Sequence, residues 1–329
     1  MPEYGASYFV IIEVLNVKHT RFIGIILLIA FALSQGLRDV YLSSAFGALG
    51  FFDLVFLAFA TATIFFTILL LIWVPEDIKR LKKQWRGVVA VNVTTAGAWL
   101  CYFGALNLLE PSVVNTIFSG VAPVSVVLLA SIGLYATDRA KALTLERIIH
   151  LGVLFTLLFL GWIVLSGRSG FANISVNNAA GGILMAALSG IIITAETVYA
   201  KRMNEAGVSA IGVLAFRFVF IALIGASAIL INDTSQIPAM PLPALLMVSG
   251  KMLVLMVAPL LLVGQGLAMT SPLTTGIVAA FGPAIVFMLQ AGEGRIPSSG
   301  WVLLATAIYV SLTLLGVLVR AFSLSRKTV

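Results

Sequence analysis

The segment Ala105-Leu-Asn-Leu-Leu-Glu-Pro111 is followed, twelve residues later, by Pro123 within the sequence Val-Ala-Pro-Val. A second copy of this arrangement lies in the other half of the chain, where Leu267-Ala-Met-Thr-Ser-Pro272 leads after eleven residues to Pro283 within Phe-Gly-Pro-Ala. The copies are separated by 161 residues at the first proline and by 160 at the second. Two prolines at nearly the same spacing in both halves predict an internal repeat.

Shorter matches extend this repeat toward the start of each half. Ala32-Leu-Ser34 matches Ala187-Leu-Ser189 at an offset of 155, and Leu57-Ala-Phe59 matches Leu214-Ala-Phe216 at an offset of 157. Because the matches keep the same order and nearly the same offset, we interpret the chain as two homologous halves.

The composition is that of a membrane protein. Of the 329 residues, 60% are apolar and 10% are charged, whereas soluble domains have about 45–50% apolar and about 25% charged residues. A membrane core of about 30 Å requires roughly 20 apolar residues in a helix. The sequence contains ten such stretches, at Phe22 to Leu42, Phe51 to Val74, Gly87 to Leu109, Ser112 to Leu134, Ile148 to Ser166, Ala180 to Ala200, Ser209 to Ile231, Ala244 to Met269, Leu273 to Gln290 and Gly300 to Phe322.

We therefore expect an all-α polytopic membrane protein of ten transmembrane helices. Five helices per half is an odd number, so the second half enters the membrane from the opposite side, which gives two inverted repeats. The expected organisation is a cytoplasmic segment at residues 1–21, a first five-helix repeat at 22–167, a second at 179–322 and a cytoplasmic tail at 323–329.

The basic residues predict the orientation of these helices. The chain has 20 Lys and Arg against 13 Asp and Glu, a formal net charge of +7. Cytoplasmic loops hold an excess of Lys and Arg, so we expect both termini in the cytoplasm and the chain in a plasma (bacterial inner) membrane, not on nucleic acid. This orientation places 15 of the 20 on the inner side: Lys18, Arg21, Lys79, Arg80, Lys82, Lys83, Arg86, Arg139, Lys141, Arg147, Lys201, Arg202, Arg320, Arg326 and Lys327.

Motifs for ATP binding, metal binding and hydrolysis are absent from the sequence. There is no Gly-x-x-x-x-Gly-Lys-Ser/Thr loop, no His-Glu-x-x-His and no Gly-x-Ser-x-Gly, which are the signatures of these chemistries. The single cysteine, Cys101, excludes a disulfide framework and a thiolate cluster. We therefore expect no cofactor, no metal and no enzymatic activity.

Ionisable side chains within the spans are the first candidates for a site, because such residues are costly in a membrane and tend to be functional or paired. Glu196 lies nine residues before the turn near Glu205 and Arg217 twelve residues after it, at depths of about 14 and 18 Å. They can form an ion pair. This pair either neutralises two buried charges or takes part in function, with Glu196 as the proton-coupling candidate. Lys251 either snorkels toward the surface or lines a cavity.

Polar residues at helical spacing indicate which helix faces turn away from lipid. They either line a cavity or bond neighbouring helices. Together with the ionisable residues, the substrate-cavity candidates are Ser34, Arg38, Tyr41, Asn92, Trp99, Tyr102, Asn115, Ser119, Glu196, Arg217, Lys251 and Gln265. Helix kinks are expected at Pro123, Pro259 and Pro283, because proline lacks the backbone N–H.

The pattern from Leu108 to Pro123, with its second copy around Pro272 and Pro283, resembles the fourth and ninth helices of the EamA-type family of the drug/metabolite transporter (DMT) superfamily. Ala291-Gly-Glu-Gly-Arg295 also resembles the Gly-Glu-Arg that commonly follows the ninth helix. The resemblance covers nearly the whole chain. It implies a ten-helix carrier with a central cavity, usually an exporter of amino acids or other small metabolites.

The expected function is secondary active export of a small polar or zwitterionic metabolite by alternating access, coupled to protons or to exchange. An organic-anion or nucleotide-sugar antiporter is the alternative within transport, and it requires Arg38, Arg217 and Lys251 to converge unpaired on the substrate. An intramembrane enzyme or a non-transporting membrane protein is the alternative of a different class. The expected partners are the small-molecule substrate and membrane lipid, and a homodimer is compatible with this architecture.

Overall fold

The computed structural model describes residues 4–134, 144–171, 174–231 and 235–325. For residues 4–20, and for Pro123 among a few others, the description covers the backbone only. The predicted inner-side residues Arg139, Lys141, Arg326 and Lys327 lie outside these ranges. Within the described ranges the regular structure is helical and includes no strand, as the sequence predicts.

The first half contains seven helices: α1 (Tyr4–Leu49), α2 (Phe51–Trp73), α3 (Asp77–Lys83), α4 (Trp85–Leu108), α5 (Pro111–Gly120), α6 (Ala122–Ser131) and α7 (Thr144–Leu165). The second half contains α8 (Val176–Glu205), α9 (Ala210–Arg217), α10 (Val219–Ile231), α11 (Leu242–Met269), α12 (Pro272–Ala280), α13 (Gly282–Glu293) and α14 (Gly300–Ser325). A short 3₁₀ helix (Ile237–Ala239) precedes α11.

Nine helical stretches of the described chain are long and apolar enough to cross a membrane, which supports an integral membrane protein. They are Arg21–Leu49, Phe51–Trp73, Trp85–Leu108, Leu145–Leu165, Val176–Glu205, Ala210–Ile231, Leu242–Met269, Leu273–Glu293 and Gly300–Ser323. The remaining sequence prediction, Ser112 to Leu134, corresponds to α5 and α6, two ten-residue helices separated at Val121.

The first helix is longer than the sequence predicts. It continues through residues 43–49 and ends at Leu49, before Gly50, whose φ of 79° is a conformation that glycine adopts readily. At its other end, it includes residues 4–21, which we expected to be a separate segment. Residues 6–23 contain neither glycine nor proline that would end a helix.

Prolines explain two of the three helix breaks. The breaks at Val121 and Phe281 each lie two residues before a proline, Pro123 and Pro283, which cannot donate the backbone bond that would continue the preceding turn. In contrast, α11 is continuous through Pro259. The third break, at Phe218 between α9 and α10, has no proline nearby.

The helices form pairs along their lengths. The most extensive pairs are α4 with α8 and α1 with α11, and α2 packs on both α9 and α10. Further pairs are α7 with α14 and α5 with α13. Large apolar side chains remain on the outside, including Phe155, Leu230 and Ile231. An exterior of this kind is suited to lipid.

Hydrogen bonds between loops show which helix ends lie at the same end of the bundle. At one side, Ser209 N donates to Asp77 Oδ2 over 2.8 Å and Arg202 donates to the Leu134 carbonyl over 2.6 Å. This basic end carries Lys79, Arg80, Lys82, Lys83, Arg86, Arg147, Lys201, Arg202 and Arg320. At the opposite end, Gln236 N donates to Asp53 over 2.8 Å and Ser299 to the Arg168 carbonyl over 2.6 Å. Only Arg168 and Arg295 among the described basic loop residues lie there.

Candidate functional site

A cavity of about 330 Å³ lies between α1, α4, α5, α8, α9 and α11. Its walls combine charged and hydrogen-bonding side chains with apolar ones. The lining residues are Phe31, Gln35, Arg38, Ala98, Trp99, Tyr102, Phe118, Ser189, Ile193, Glu196, Thr197, Arg217, Pro259, Leu260 and Val263. We refer to this space as the central cavity.

The carboxylate of Asp39 links three helices beside the central cavity. It is fully buried, and its Oδ1 accepts a hydrogen bond from Arg38 Nη2 over 2.8 Å. Its Oδ2 accepts from Tyr102 Oη over 2.6 Å and from Asn115 Nδ2 over 3.2 Å. These bonds connect α1 to α4 and α5. They also satisfy a charge that would be costly to bury alone.

Arg38 lines the cavity, and its positive charge is compensated by Asp39. Its guanidinium lies over the ring of Trp99 at 4.9 Å and near the ring of Tyr102 at 5.8 Å. Cations are attracted to the faces of aromatic rings at such distances. The neighbouring Asp39 and these rings therefore fix the guanidinium in place.

A second ion pair lies on the other side of the cavity. Glu196 Oε2 and Arg217 Nη2 are 3.3 Å apart, and both residues are largely shielded from solvent. In the described part of the chain, Glu196 Oε1 and Arg217 Nε have no hydrogen-bond partner, and neither does Trp99 Nε1. Buried polar atoms are rarely left unpaired. The cavity walls thus contain two donors and one acceptor that a bound molecule could satisfy.

Six of the sequence-predicted residues line the central cavity: Arg38, Trp99, Tyr102, Glu196, Arg217 and the kink candidate Pro259. Asn115 lies next to this set, because it donates to Asp39 and, over 3.4 Å, to Tyr102 Oη. Asp39, the sequence neighbour of Arg38, was not among the predicted cavity residues. Only the fold reveals that its partners come from α4 and α5.

Asn92 has a different place from the one expected. Its Nδ2 donates to the Val88 carbonyl of its own helix over 2.9 Å. Its Oδ1 accepts from Phe220 N over 3.0 Å, a backbone donor just after the break at Phe218. Asn92 therefore satisfies the break between α9 and α10 and does not line the cavity. The sequence could not reveal this, because that break has no proline signal.

The other predicted residues also lie away from the central cavity. The Ser34 hydroxyl donates to the Phe31 carbonyl over 2.9 Å, and Gln265 is exposed. Lys251 and Tyr41 form a shallow apolar depression on the outer surface of α1 and α11, with the ammonium 5.8 Å from the Tyr41 ring. Ser119 lines a separate pocket between α5, α7 and α14.

A buried polar cluster at the opposite end of the bundle was not predicted from the sequence. Gln290 Nε2 donates to Glu110 Oε2 over 2.7 Å, and Gln290 Oε1 accepts from Ser112 N over 3.1 Å. Gly170 N donates to Glu110 Oε1 over 3.4 Å. Burial raises the pKa of Glu110 above its ordinary value, although the hydrogen bonds from Gln290 and Gly170 act in the other direction.

Above this cluster lies an open vestibule of about 580 Å³. It is lined by Asn107, Leu108, Gly170, Phe171, Ile174, Asn178, Arg295, Ile296 and Pro297. Gly170 belongs to both the vestibule wall and the Glu110 cluster. No Cβ fits at Gly170, because it would lie 2.6 Å from Glu110 Oε2 and from the Pro297 carbonyl.

No group of three or more His, Cys, Asp or Glu residues is arranged to hold a metal ion in the described ranges. The lining of the central cavity offers charge pairing, hydrogen bonding and apolar contact. These are the interactions by which a site binds a small polar molecule.

No family model matches the sequence, and no curated protein matches it. A solved structure, described as "Crystal structure of protein", has a similar fold, with a TM-score of 0.58 over 92% of this chain and 96% of its own. The two sequences are 20% identical. At this identity the likeness concerns the fold alone, and function has to be argued from the site.

Proposed function

We propose that the protein is a secondary active transporter that exports small zwitterionic metabolites such as amino acids. The observation that carries this proposal is the central cavity, which places two ion pairs and three unpartnered polar atoms inside a bundle of membrane-spanning helices. Burying such groups in a membrane is costly, so polar and ionisable residues that are found there usually have a function.

The chemistry of the unpartnered atoms favours a zwitterion. Glu196 Oε1 is an acceptor suited to an ammonium group, and Trp99 Nε1 and Arg217 Nε are donors suited to a carboxylate. The remaining walls, among them Phe31, Phe118, Leu260 and Val263, suit an apolar body. The volume of about 330 Å³ is near the lower limit of about 300–1,000 Å³ for small-molecule sites.

Alternating access between two inverted five-helix repeats is the proposed mechanism. In this scheme α1, α2, α4, α5–α6 and α7 correspond in order to α8, α9–α10, α11, α12–α13 and α14. The helix packing supports it: the α4–α8 contact corresponds to α1–α11, and α5–α8 corresponds to α1–α12. The pairs α2 with α9–α10 and α7 with α14 correspond to themselves. Such a pseudo-two-fold arrangement lets a central site open to either side.

The proposed orientation has the basic end in the cytoplasm of a plasma (bacterial inner) membrane, with both termini inside. The concentration of Lys and Arg at that end of the bundle supports it. Reporter fusions at the two ends of the chain test the proposal, and signals from opposite compartments would contradict it.

The anion or nucleotide-sugar antiporter is less well supported. It requires three unpaired cations at one site. Arg38 is paired with Asp39 and Arg217 with Glu196, and Lys251 lies over Tyr41 outside the central cavity. The two ion pairs leave the site near electrical balance, as a zwitterion requires.

Uptake into proteoliposomes tests the proposed function. The purified protein should accelerate entry of labelled leucine or phenylalanine relative to empty liposomes, and the solute should be recovered unchanged. Recovery of a converted product would assign an enzyme instead. Uptake of an anionic sugar nucleotide without uptake of amino acids would support the antiporter.

Substitution of Glu196 tests the role of the cavity within that assay. Loss of a charged hydrogen-bond partner costs about 1.5–3 kcal/mol, so Glu196→Gln should raise the KM for a neutral amino acid by about tenfold or more. Glu205→Gln is the matched control, because Glu205 is exposed and lies 3.8 Å from Lys201. If Glu196 also couples transport to protons, the variant should lose the pH dependence of flux between pH 5 and 8. Flux that is already independent of pH in the wild type would remove Glu196 from coupling.

A further inference from the structure

The buried cluster of Glu110, Gln290, Ser112 and Gly170 joins four parts of the chain at the end away from the basic loops. Glu110 ends the turn between α4 and α5, and Ser112 lies in the first turn of α5. Gln290 belongs to the last turn of α13, and Gly170 to the connection between α7 and α8. Gln290 bonds both to the Glu110 carboxyl and to the Ser112 backbone, so it holds the start of α5 against the end of α13.

The contact between the two broken helices is asymmetric along the membrane normal. At the Glu110 end, α5 packs on α13. The halves that point toward the basic end, α6 and α12, do not pack on one another to a similar extent in the described part of the chain. The two broken helices are thus packed together at the Glu110 end and much less so at the basic end.

We infer that the Glu110–Gln290 contact is the outer gate of the transporter, and that protonation of Glu110 from the vestibule holds this gate closed. The inference rests on the proposed function, since it assumes that α5 and α13 separate when the central cavity opens outward. It assigns to Glu110 a role that differs from that of Glu196, which belongs to the cavity itself.

The electrostatic surroundings of Glu110 support this role. Glu110 is 1% exposed, and no Lys or Arg forms an ion pair with it in the described ranges. The cations on the neighbouring elements are engaged elsewhere. Arg168 lies over the rings of Trp162 and Trp301, Arg295 contacts Glu293 and Ser43, and Arg38 on α1 is paired with Asp39.

A buried carboxyl group without a cation is more stable in its neutral form. Its pKa is accordingly raised in the closed arrangement. When the gate opens, water from the vestibule hydrates the carboxyl group and its pKa returns toward the ordinary value. Proton binding therefore favours the closed gate, and the closed gate loses stability relative to the open one as pH rises through the raised pKa.

Cysteine accessibility measures the gate without any transport. Ser112 is fully buried, and its hydroxyl has no hydrogen-bond partner among the described residues, so Ser112→Cys removes no side-chain bond. The protein carries Ser112→Cys in a Cys101→Ser background and is placed in lipid nanodiscs. The rate of modification by a charged maleimide is then measured from pH 5 to 8. Asn178→Cys, an exposed position in the vestibule, corrects for the pH dependence of the thiol itself.

The corrected modification rate should rise with pH in the wild-type background. Gln290→Leu removes two hydrogen bonds and should increase this rate at pH 6 by about fivefold or more. Glu110→Gln should remove the pH dependence, whereas the control Glu205→Gln at the basic end should retain it. Gln290→Asn, which is shorter by one methylene, serves as a second variant if Gln290→Leu does not yield folded protein.

Equal rates in Gln290→Leu, Gln290→Asn and the wild-type background would overturn the gate. An unchanged pH profile in Glu110→Gln would overturn the role of protonation. Uptake measured in parallel separates the two proposals: the expected accessibility changes without any solute uptake would leave the gate in place and contradict transport, and uptake without those changes would do the reverse.

Discussion

Substitution of Asp39 by asparagine should show how strongly the site stabilises the helix bundle. Asp39 is fully buried and accepts hydrogen bonds from Arg38, Tyr102 and Asn115 at 2.8, 2.6 and 3.2 Å. Asp39→Asn keeps the shape of the side chain but leaves the buried Arg38 guanidinium without a counter-charge. Breaking a buried ion pair in this way costs about 3–5 kcal/mol. We expect the free energy of unfolding to fall by that amount.

Two further variants separate charge from hydrogen bonding. Arg38→Gln combined with Asp39→Asn removes both charges, so the double variant should be more stable than Asp39→Asn alone by about 1 kcal/mol or more. The control Asp53→Asn alters a buried carboxylate that accepts from Ser235 Oγ and Gln236 N. It should cost about 1–2 kcal/mol, because hydrogen bonds to a charged group are lost but no buried cation is left behind.

Reversible unfolding in bicelles by steric trapping measures these free energies directly. If Asp39→Asn were within 1 kcal/mol of the wild type, the Asp39 cluster would not be a stabilising centre of the bundle. If the double variant were no more stable than the single one, the cost would not come from the unpaired Arg38. The same variants tested for amino acid uptake show whether the cluster also supports binding.

Three further predictions concern single side chains. Trp99→Phe keeps the aromatic ring but removes the unpartnered Nε1 donor, and should raise the KM for a neutral amino acid about five- to tenfold in the uptake assay. Asn92→Ala leaves Phe220 N without its acceptor and should lower the free energy of unfolding by about 1–3 kcal/mol. Burial alone would raise the pKa of Asp77, but hydrogen bonds from Ser209 and Arg80 outweigh it and lower the pKa. Its stabilising effect is therefore present above the ordinary carboxyl pKa and lost as pH falls through the lowered value, so Asp77→Asn should flatten the decline in stability below about pH 4.

Each of these three substitutions has a matched control variant. Trp73→Phe alters a tryptophan that is 63% exposed and should leave KM unchanged. Asn107→Ala and Glu76→Gln alter exposed side chains and should leave the free energy of unfolding and its acid limb unchanged. An equal effect in a variant and its control would show that the proposed contact is not the cause.

The sequence predicted the helices well where hydropathy and breakers act locally. Proline positions predict where three helices begin or end. Helix α2 ends just before Pro75, and α5 and α12 begin at Pro111 and Pro272. The extension of α1 to Leu49 did not follow, because Ser43, Ser44 and Gly47 interrupt the apolar run after Leu42.

The sequence also identified the Glu196–Arg217 pair, since both residues lie on helices joined by one short turn and their depths can be counted from it. It could not identify the Glu110–Gln290 contact. These residues are separated by 180 positions, and each lies at the end of an apolar stretch where a polar residue is unremarkable by itself.

By itself, the sequence determined that this chain is helical and apolar enough for a membrane, because hydropathy and helix breakers are local properties of the chain, and its repeat spacing predicted two related halves. The tertiary structure decided which polar residues share a site. In it, Asp39 contacts Tyr102 and Asn115, whereas Asn92, Lys251 and Ser119 lie outside the central cavity. The physical reason is that a polar stripe fixes only the face of a helix, whereas the partner of that face depends on the rotation and packing of every neighbouring helix.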